Sequence, residues 1–155
     1  DDNFNKIISL LNECNDSLDL IVLPEYSDVP ADVTDKDEFE AAIQKNNPIL
    51  LKKAAETAKR CNSLVFVNAL SFEESGYRNT TYCYNRQGKL VGKYFKKHLP
   101  PLEVNDLKLD AEYTYDYSEP YVLEIEGLRF GFLTSSNCLT RKGDVRNIKA
   151  NSGDK

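Results

Sequence analysis

Residues 3–23 combine a helix pattern with a short strand that has no polar face. Residues 3–14, NFNKIISLLNEC, carry apolar side chains at the spacing of one helical face. Residues 20–23, LIVL, are apolar on successive positions, a pattern typical of a strand that is covered on both faces. Pro24 ends this strand because proline has no N–H for the ladder. The two patterns predict a sheet with helices packed on it.

The rest of the chain predicts two more helices and several strands. Thr34 is a capping residue for a helix near residues 36–45, and Asn47 followed by Pro48 predicts the start of a separate helix over residues 48–60. The other apolar runs predict strands, the last four of them in two hairpins with glycine-containing turns: SLVFVNALSF, RNTTYCYN, LVGKYFKKHL and both halves of PYVLEIEGLRFGFLT. Early helix–strand alternation followed by hairpins predicts the α/β class, with a mixed sheet covered by helices on at least one face.

The composition fits one soluble domain and argues against several kinds of partner. A chain of 155 residues has the size of a single domain, and its net charge of −5 without a basic tract predicts no nucleic-acid partner. The longest apolar runs fall far short of the ~20 residues that cross a bilayer, and the start lacks a signal-peptide pattern. We therefore expect a cytoplasmic protein without membrane contact.

The cysteine and histidine content predicts no metal centre and no cofactor. The four cysteines never approach a Cys-x-x-Cys spacing, and the single His98 offers little to complete a zinc site. Free thiols are expected in a reducing compartment. Cys14 and Cys61 are predicted to pack in the core.

Three positions are candidates for chemistry. Glu25 directly follows the first strand and Pro24, where a strand end in an α/β fold commonly meets a crevice, and a desolvated carboxylate there could act as a base. A solvated loop glutamate is the alternative. Lys96 and Lys97 end a hairpin strand, so alternation points their ammonium groups to opposite faces and one of them inward. Otherwise they are a solvated surface pair.

The third candidate is the turn after the last predicted strand. LRFGFLT leads into Ser135, Ser136 and Asn137, which could present a hydroxyl at a sharp turn whose backbone N–H groups hold an oxyanion. No Ser-His-Asp arrangement is evident, and a serine without a base is inert.

In this order the three segments resemble the nitrilase or carbon–nitrogen hydrolase superfamily. DLIVLPEY resembles the family's strand with the general-base glutamate, which maps onto Glu25. GKLVGKYFKKHLP resembles the segment written Tyr-Arg-Lys-x-His-Leu-Pro and aligns the family's lysine with Lys96. AEYTYDYSEPYVLEIEGLRFGFLT resembles the stretch before the nucleophile, and Glu112 falls where the family often has a second, supporting glutamate.

The resemblance implies an α-β-β-α sandwich and a Glu-Lys-Cys mechanism. In that mechanism a cysteine thiolate attacks the carbon of an amide or nitrile, the glutamate moves protons, and the lysine stabilises the tetrahedral oxyanion. It therefore implies a hydrolase of non-peptide carbon–nitrogen bonds whose partner is a small amide, carbamoyl or nitrile compound, and which assembles as a homo-oligomer. Residues 1–155 are expected to form a single domain that holds only the first half of the family's sandwich.

Residues 135–155 depart from the family pattern. Ser135 stands at the nucleophile position, and an alcohol ionises many units above the ~8.5 of a thiol. Three explanations stay open: a natural or engineered loss of activity, a shifted loop in which Cys138 serves, or a chain that leaves the family's path at residue 135. The serine also motivates an alternative function, a degenerate, non-catalytic relative that binds a small molecule or a protein. A generic α/β domain with accidental motif matches is the third possibility.

Overall fold

The computed structural model describes residues 2–30, 33, 35–111 and 121–134. Over these ranges the elements are, in chain order, α1 (Asp2–Glu13), β1 (Leu20–Val22), α2 (Lys36–Cys61), β2 (Leu64–Glu73), β3 (Gly76–Tyr84), β4 (Leu90–Phe95), a π-helical turn (Leu102–Asp106), β5 (Val122–Ile125) and β6 (Leu128–Gly131). The predicted α/β class is confirmed. In the described part of the chain, neither helix has the length and apolar composition that crossing a bilayer requires.

Four strands form one sheet and the last two form a separate hairpin. The sheet order is β1-β2-β3-β4, with β1 parallel to β2 and the other pairs antiparallel. The predicted hairpin of β3 and β4 is confirmed, and so is the β5–β6 hairpin. The latter turns at Glu126 and Gly127, whose positive φ angles of 55° and 77° suit a tight hairpin turn.

Alternation along β2 divides the core into two layers. Val65, Val67 and Ala69 face a cluster that includes Leu50 and Ala54 of α2. Leu64 and Phe66 point the other way and pack against the β5–β6 hairpin, where the rings of Phe66 and Phe130 lie 5.0 Å apart, edge to face. The described residues thus stack as helices, sheet and second sheet.

The second helical segment differs from the prediction, because residues 36–61 form one helix instead of two. Asp35 is the N-cap, accepting hydrogen bonds from the backbone N–H groups of Asp37 and Glu38. Pro48 lies inside the helix and removes a backbone donor, which costs about 3 kcal/mol. The buried face nevertheless continues across the proline, and burying each such large apolar side chain returns about 1.5–3 kcal/mol. Its members are Phe39, Ile43, Asn46, Leu50, Ala54, Thr57, Ala58 and Cys61.

The prediction that β1 is covered on both faces is wrong. Ile21 and Leu23 are buried, but Leu20 is 41% exposed and Val22 is 65% exposed. β1 is an edge strand of the described sheet, and the β5–β6 hairpin packs on β2 and β3 instead. An unbroken apolar run therefore does not by itself show that both faces of a strand are covered.

Candidate active site

Glu25 and Lys96 meet at the end of β1, and Glu103 joins them there. The Lys96 ammonium lies 2.7 Å from Glu25 Oε1 and 2.8 Å from Glu103 Oε1. Lys96 and Glu103 are almost fully buried, while the Glu25 side chain is 24% exposed. The predicted convergence of Glu25 with Lys96 is therefore present in the structure, across 71 positions of sequence.

Backbone pairing explains why Lys96, and not Lys97, points into this cluster. The Lys96 N–H donates to Asn79 O at 2.9 Å, which extends the ladder of β3 and β4 one step past Phe95. Alternation then directs consecutive side chains to opposite sides. Lys96 is 2% exposed, whereas Lys97 is partly exposed.

Glu103 is the member of this cluster that the sequence did not single out. It lies in the π-helical turn Leu102–Asp106, which folds back directly after Pro100 and Pro101. The supporting role was assigned instead to Glu112, which lies outside the described residues and stays a prediction. The available signal was a carboxylate only seven positions after Lys96, in a segment where two consecutive prolines favour a turn.

Neutral donors complete the cluster because its charges do not balance. Two carboxylates surround one ammonium, so the three side chains carry a net charge of −1. The Tyr26 hydroxyl donates to Glu103 Oε1 at 2.6 Å, and Asn79 Nδ2 donates to Glu25 Oε1 at 2.9 Å. Burial, together with the charge of Glu103, raises the pKa of Tyr26 well above its usual range. Tyr26 therefore keeps its proton and acts as a donor.

The loop that carries Glu25 is tied to the sheet and to α2. The Ser27 N–H donates to the Asn68 carbonyl at 3.0 Å. Asp28 Oδ2 accepts from Asn47 Nδ2 at 2.8 Å and from the Leu70 N–H at 3.0 Å. These bonds hold the two residues that directly follow Tyr26.

The Asp28 carboxyl is a buried acid, and this predicts an unusual pH dependence of stability. Desolvation raises the pKa of Asp28, and its Oδ1 has no hydrogen-bond partner among the described residues. The folded state therefore binds a proton more tightly than the unfolded chain, so this group makes stability fall as pH rises from the unfolded pKa of ~3.9 through the raised folded value. We expect Asp28→Asn to raise the melting temperature at pH 7 and to flatten its decline across that window. Thermal unfolding from pH 4 to pH 8 measures this, and a lower melting temperature at pH 7 for the asparagine variant would contradict it.

None of the cysteines in the described ranges suits the role of nucleophile. Cys83 is fully buried between the two sheets, and desolvation raises its pKa to about 12. Cys61, the last residue of α2, is buried in the core, as predicted, and Cys14 is partly buried against the same core. Ser135 and Cys138, the two predicted nucleophile positions, lie outside the described residues.

Two clefts border Glu25, and one of them reaches Thr134. The first, of about 420 Å³, is mostly apolar and lies against α1, with Ile7, Leu10 and Leu102 among its walls. The second, of about 280 Å³, is lined by Asn68, Thr81 and Thr134.

An aromatic cluster anchors the chain next to the second cleft. The ring of Phe132 lies 5.5 Å from that of Phe66 and stacks on Tyr94 at 5.4 Å. These contacts fix the segment that ends at Thr134, the residue directly before Ser135. The smaller cleft therefore extends from Glu25 to Thr134.

Comparisons with known proteins identify the family and the fold. The model of the carbon-nitrogen hydrolase family matches residues 1–137. A carbon-nitrogen hydrolase from Helicobacter pylori G27 superposes with a TM-score of 0.52 at 15% identity, over 64% of this chain and 35% of its own. A CN-hydrolase superfamily protein from Xanthomonas campestris, with an arsenic adduct in its active site, gives 0.58 at 22% identity, over 83% and 45%.

An N-terminal amidase also shares the fold, with a TM-score of 0.54 at 13% identity, over 70% of this chain and 26% of its own. No curated protein sequence matches the chain. The chain spans between about a quarter and a half of the length of these solved structures. The family model covers most of the chain, and the neighbours share its sheet and helices. The chain belongs to the carbon–nitrogen hydrolase family.

Proposed function

We propose that this protein hydrolyses the carbon–nitrogen bond of a small amide, carbamoyl or nitrile compound by a Glu-Lys-nucleophile mechanism. The observation that supports this most is the buried Lys96 ammonium between the carboxylates of Glu25 and Glu103. Burying three charged groups costs several kcal/mol for each ion unless they are well paired, so such a cluster commonly marks a functional site.

Each side chain has a role that its surroundings support. Glu25 takes the proton of the attacking nucleophile and returns it to the leaving nitrogen, because it combines partial exposure with a place on the wall of the cleft. Lys96 stabilises the oxyanion that forms on the attacked carbon, because a fixed ammonium in a water-poor site needs no reorganisation. Glu103 gives the ammonium a second carboxylate partner.

A thiol at position 135 tests this proposal most directly. Ser135→Cys is expected to raise ammonia release from a panel of small amides and nitriles about a hundredfold or more, because a thiol ionises far more readily than an alcohol. Ser136→Cys, which places the same thiol one residue later, is the matched control and is expected to leave the rate unchanged.

The same assay separates the remaining explanations. Loss of activity in Cys138→Ala, with no gain in Ser135→Cys, would assign the nucleophile to Cys138. No ammonia from a folded Ser135→Cys protein would contradict the hydrolase proposal. The serine then favours the second candidate, a non-catalytic relative that binds small molecules, and thermal-shift screening would detect ligands without turnover.

A further inference from the structure

We propose that Asn68 and Asn79 act as a pair of positioning residues that fix which oxygen of Glu25 takes the proton. Four hydrogen-bonding groups form a closed circuit. The Tyr26 N–H donates to Asn68 Oδ1 at 2.8 Å, Asn68 Nδ2 donates to Asn79 Oδ1 at 2.7 Å, and Asn79 Nδ2 donates to Glu25 Oε1 at 2.9 Å. The circuit closes through the peptide that joins Glu25 to Tyr26. We call this set of three hydrogen bonds the amide relay. The inference rests on the proposed function, because it gives Asn68 and Asn79 a role in positioning the proposed general base Glu25.

The two ends of the amide relay fix the orientation of both side-chain amides. A backbone N–H only donates, so Asn68 must present its oxygen to Tyr26 and its nitrogen to Asn79. Asn79 must then present its oxygen to Asn68 and its nitrogen to the carboxylate, which accepts. Neither amide can flip without placing two donors or two acceptors against each other, which costs the desolvation penalty of buried unsatisfied groups.

Both asparagine side chains are buried, so a flipped amide could not replace its lost hydrogen bonds with water. Asn68 is 6% exposed and Asn79 is fully buried. Each side-chain amide nitrogen also makes a second hydrogen bond. Asn68 Nδ2 donates to Thr81 Oγ1 at 3.3 Å, and Asn79 Nδ2 donates to Glu103 Oε1 at 3.4 Å. The two amides project from neighbouring positions of β2 and β3, where Asn68 pairs with Thr81. The amide relay is therefore built on the two central strands of the four-stranded sheet.

The amide relay and Lys96 hold the same oxygen of Glu25. Asn79 and Lys96 both contact Oε1, and none of the described residues hydrogen-bonds Oε2. Oε2 is therefore the oxygen that takes and returns the proton, while Oε1 stays bound in both protonation states of the reaction.

The backbone at Tyr26 shows why an anchor is needed. Tyr26 has a φ of 56°, in the left-handed region that costs a non-glycine residue of the order of 1–3 kcal/mol. This conformation turns the chain directly after Glu25, and the bond to Asn68 together with the Tyr26 hydroxyl bond to Glu103 keeps it in place. Loss of the amide relay would release both the turn and the carboxylate.

Amide hydrogen exchange of the chain as it stands tests the amide relay without any need for activity. The measured quantity is the ratio of the exchange rates of the Tyr26 and Ser27 N–H groups by NMR. The Ser27 N–H binds the backbone carbonyl of Asn68, so it serves as an internal reference that cancels changes in global stability. We expect Asn79→Leu, which leaves the Tyr26 N–H and its acceptor Asn68 in place, to raise this ratio about fivefold to tenfold through the loosened Asn68 side chain.

Thr80→Val is the matched control. Thr80 follows Asn79 on β3 and is equally buried, but its side chain lies on the opposite face of the sheet. The substitution removes the 2.7 Å hydrogen bond between the hydroxyl groups of Thr80 and Ser71. Its exchange ratio is expected to equal that of the unaltered protein. Asn79→Ser serves if the leucine variant does not fold. An unchanged ratio in the Asn79 variant would overturn the amide relay.

Kinetics complete the test in whichever form of the protein releases ammonia. Asn79→Leu is expected to lower kcat about tenfold to a hundredfold with little change in KM, because the carboxylate is misplaced while substrate contacts persist. A raised exchange ratio with an unchanged kcat would overturn the positioning role. If no form of the protein turns over any substrate, the proposed function fails, and the exchange ratio still decides whether the amide relay exists.

Discussion

Lys96→Ala is expected to abolish hydrolysis and to lower the free energy of unfolding by about 3–5 kcal/mol, the usual result of removing one partner from a buried ion pair. Without the ammonium, the carboxylates of Glu25 and Glu103 would face each other in a buried site with no cation between them. The developing oxyanion would also lose its charged partner. Ammonia release and urea unfolding measure the two effects.

Lys97→Ala is the matched control for this prediction. It removes an ammonium from the next residue along the chain, whose side chain is partly exposed and leaves β4 on the other side. We expect it to keep most of the activity and to change stability by less than about 1 kcal/mol, the usual limit for exposed ion pairs. Equal losses in the two variants would contradict the strand register that directs Lys96 inward.

Glu25→Gln is expected to lower kcat about 10²-fold to 10⁴-fold, the usual contribution of a general base, and to leave the fold intact. The amide oxygen of glutamine can still accept from Lys96 and Asn79, so the contacts at Oε1 persist while the group that takes the proton is lost. Rates are compared in the form of the protein that releases ammonia, with circular dichroism as the check on folding.

Glu73→Gln provides the control for a lost carboxylate. Glu73 pairs with Lys93 at 3.0 Å, in a site with both side chains partly exposed, and belongs to neither cleft. Its activity is expected to match that of the unaltered protein. Full activity in Glu25→Gln would remove Glu25 from the mechanism, whatever the geometry of the cluster.

The family motifs predicted the two charged residues that meet, but not the third. Glu25 and Lys96 each end a strand, and strand ends are readable from apolar runs and from the proline that stops one of them. Glu103 has no comparable signal, because its place depends on how the chain turns after Pro101. Asn68 and Asn79 could not be identified from the sequence either, because each is an ordinary polar residue inside a strand until the register of β2 against β3 is known.

Where the predicted elements were wrong, packing had overridden a local signal. Asn47 and Pro48 form a typical helix start, yet α2 runs through them because its buried face is continuous on both sides. Asn47 instead uses its side chain to hold Asp28 and the Leu70 carbonyl. In the same way, the apolar run of β1 indicates a strand but not which of its faces are covered: the β5–β6 hairpin packs on β2 and β3, and Val22 stays exposed.

The sequence by itself determined the α/β class and both hairpins, because periodicity and turn residues are local properties of the chain. Its motifs, through their resemblance to the family, also indicated the family and favoured Lys96 over Lys97. Only the tertiary structure decided that Glu103 shares the ammonium, that Asn68 and Asn79 link the Tyr26 N–H to one oxygen of Glu25, and that α2 continues through Pro48. Those outcomes depend on contacts between side chains that are far apart in the sequence, and no local pattern of residues predicts such contacts.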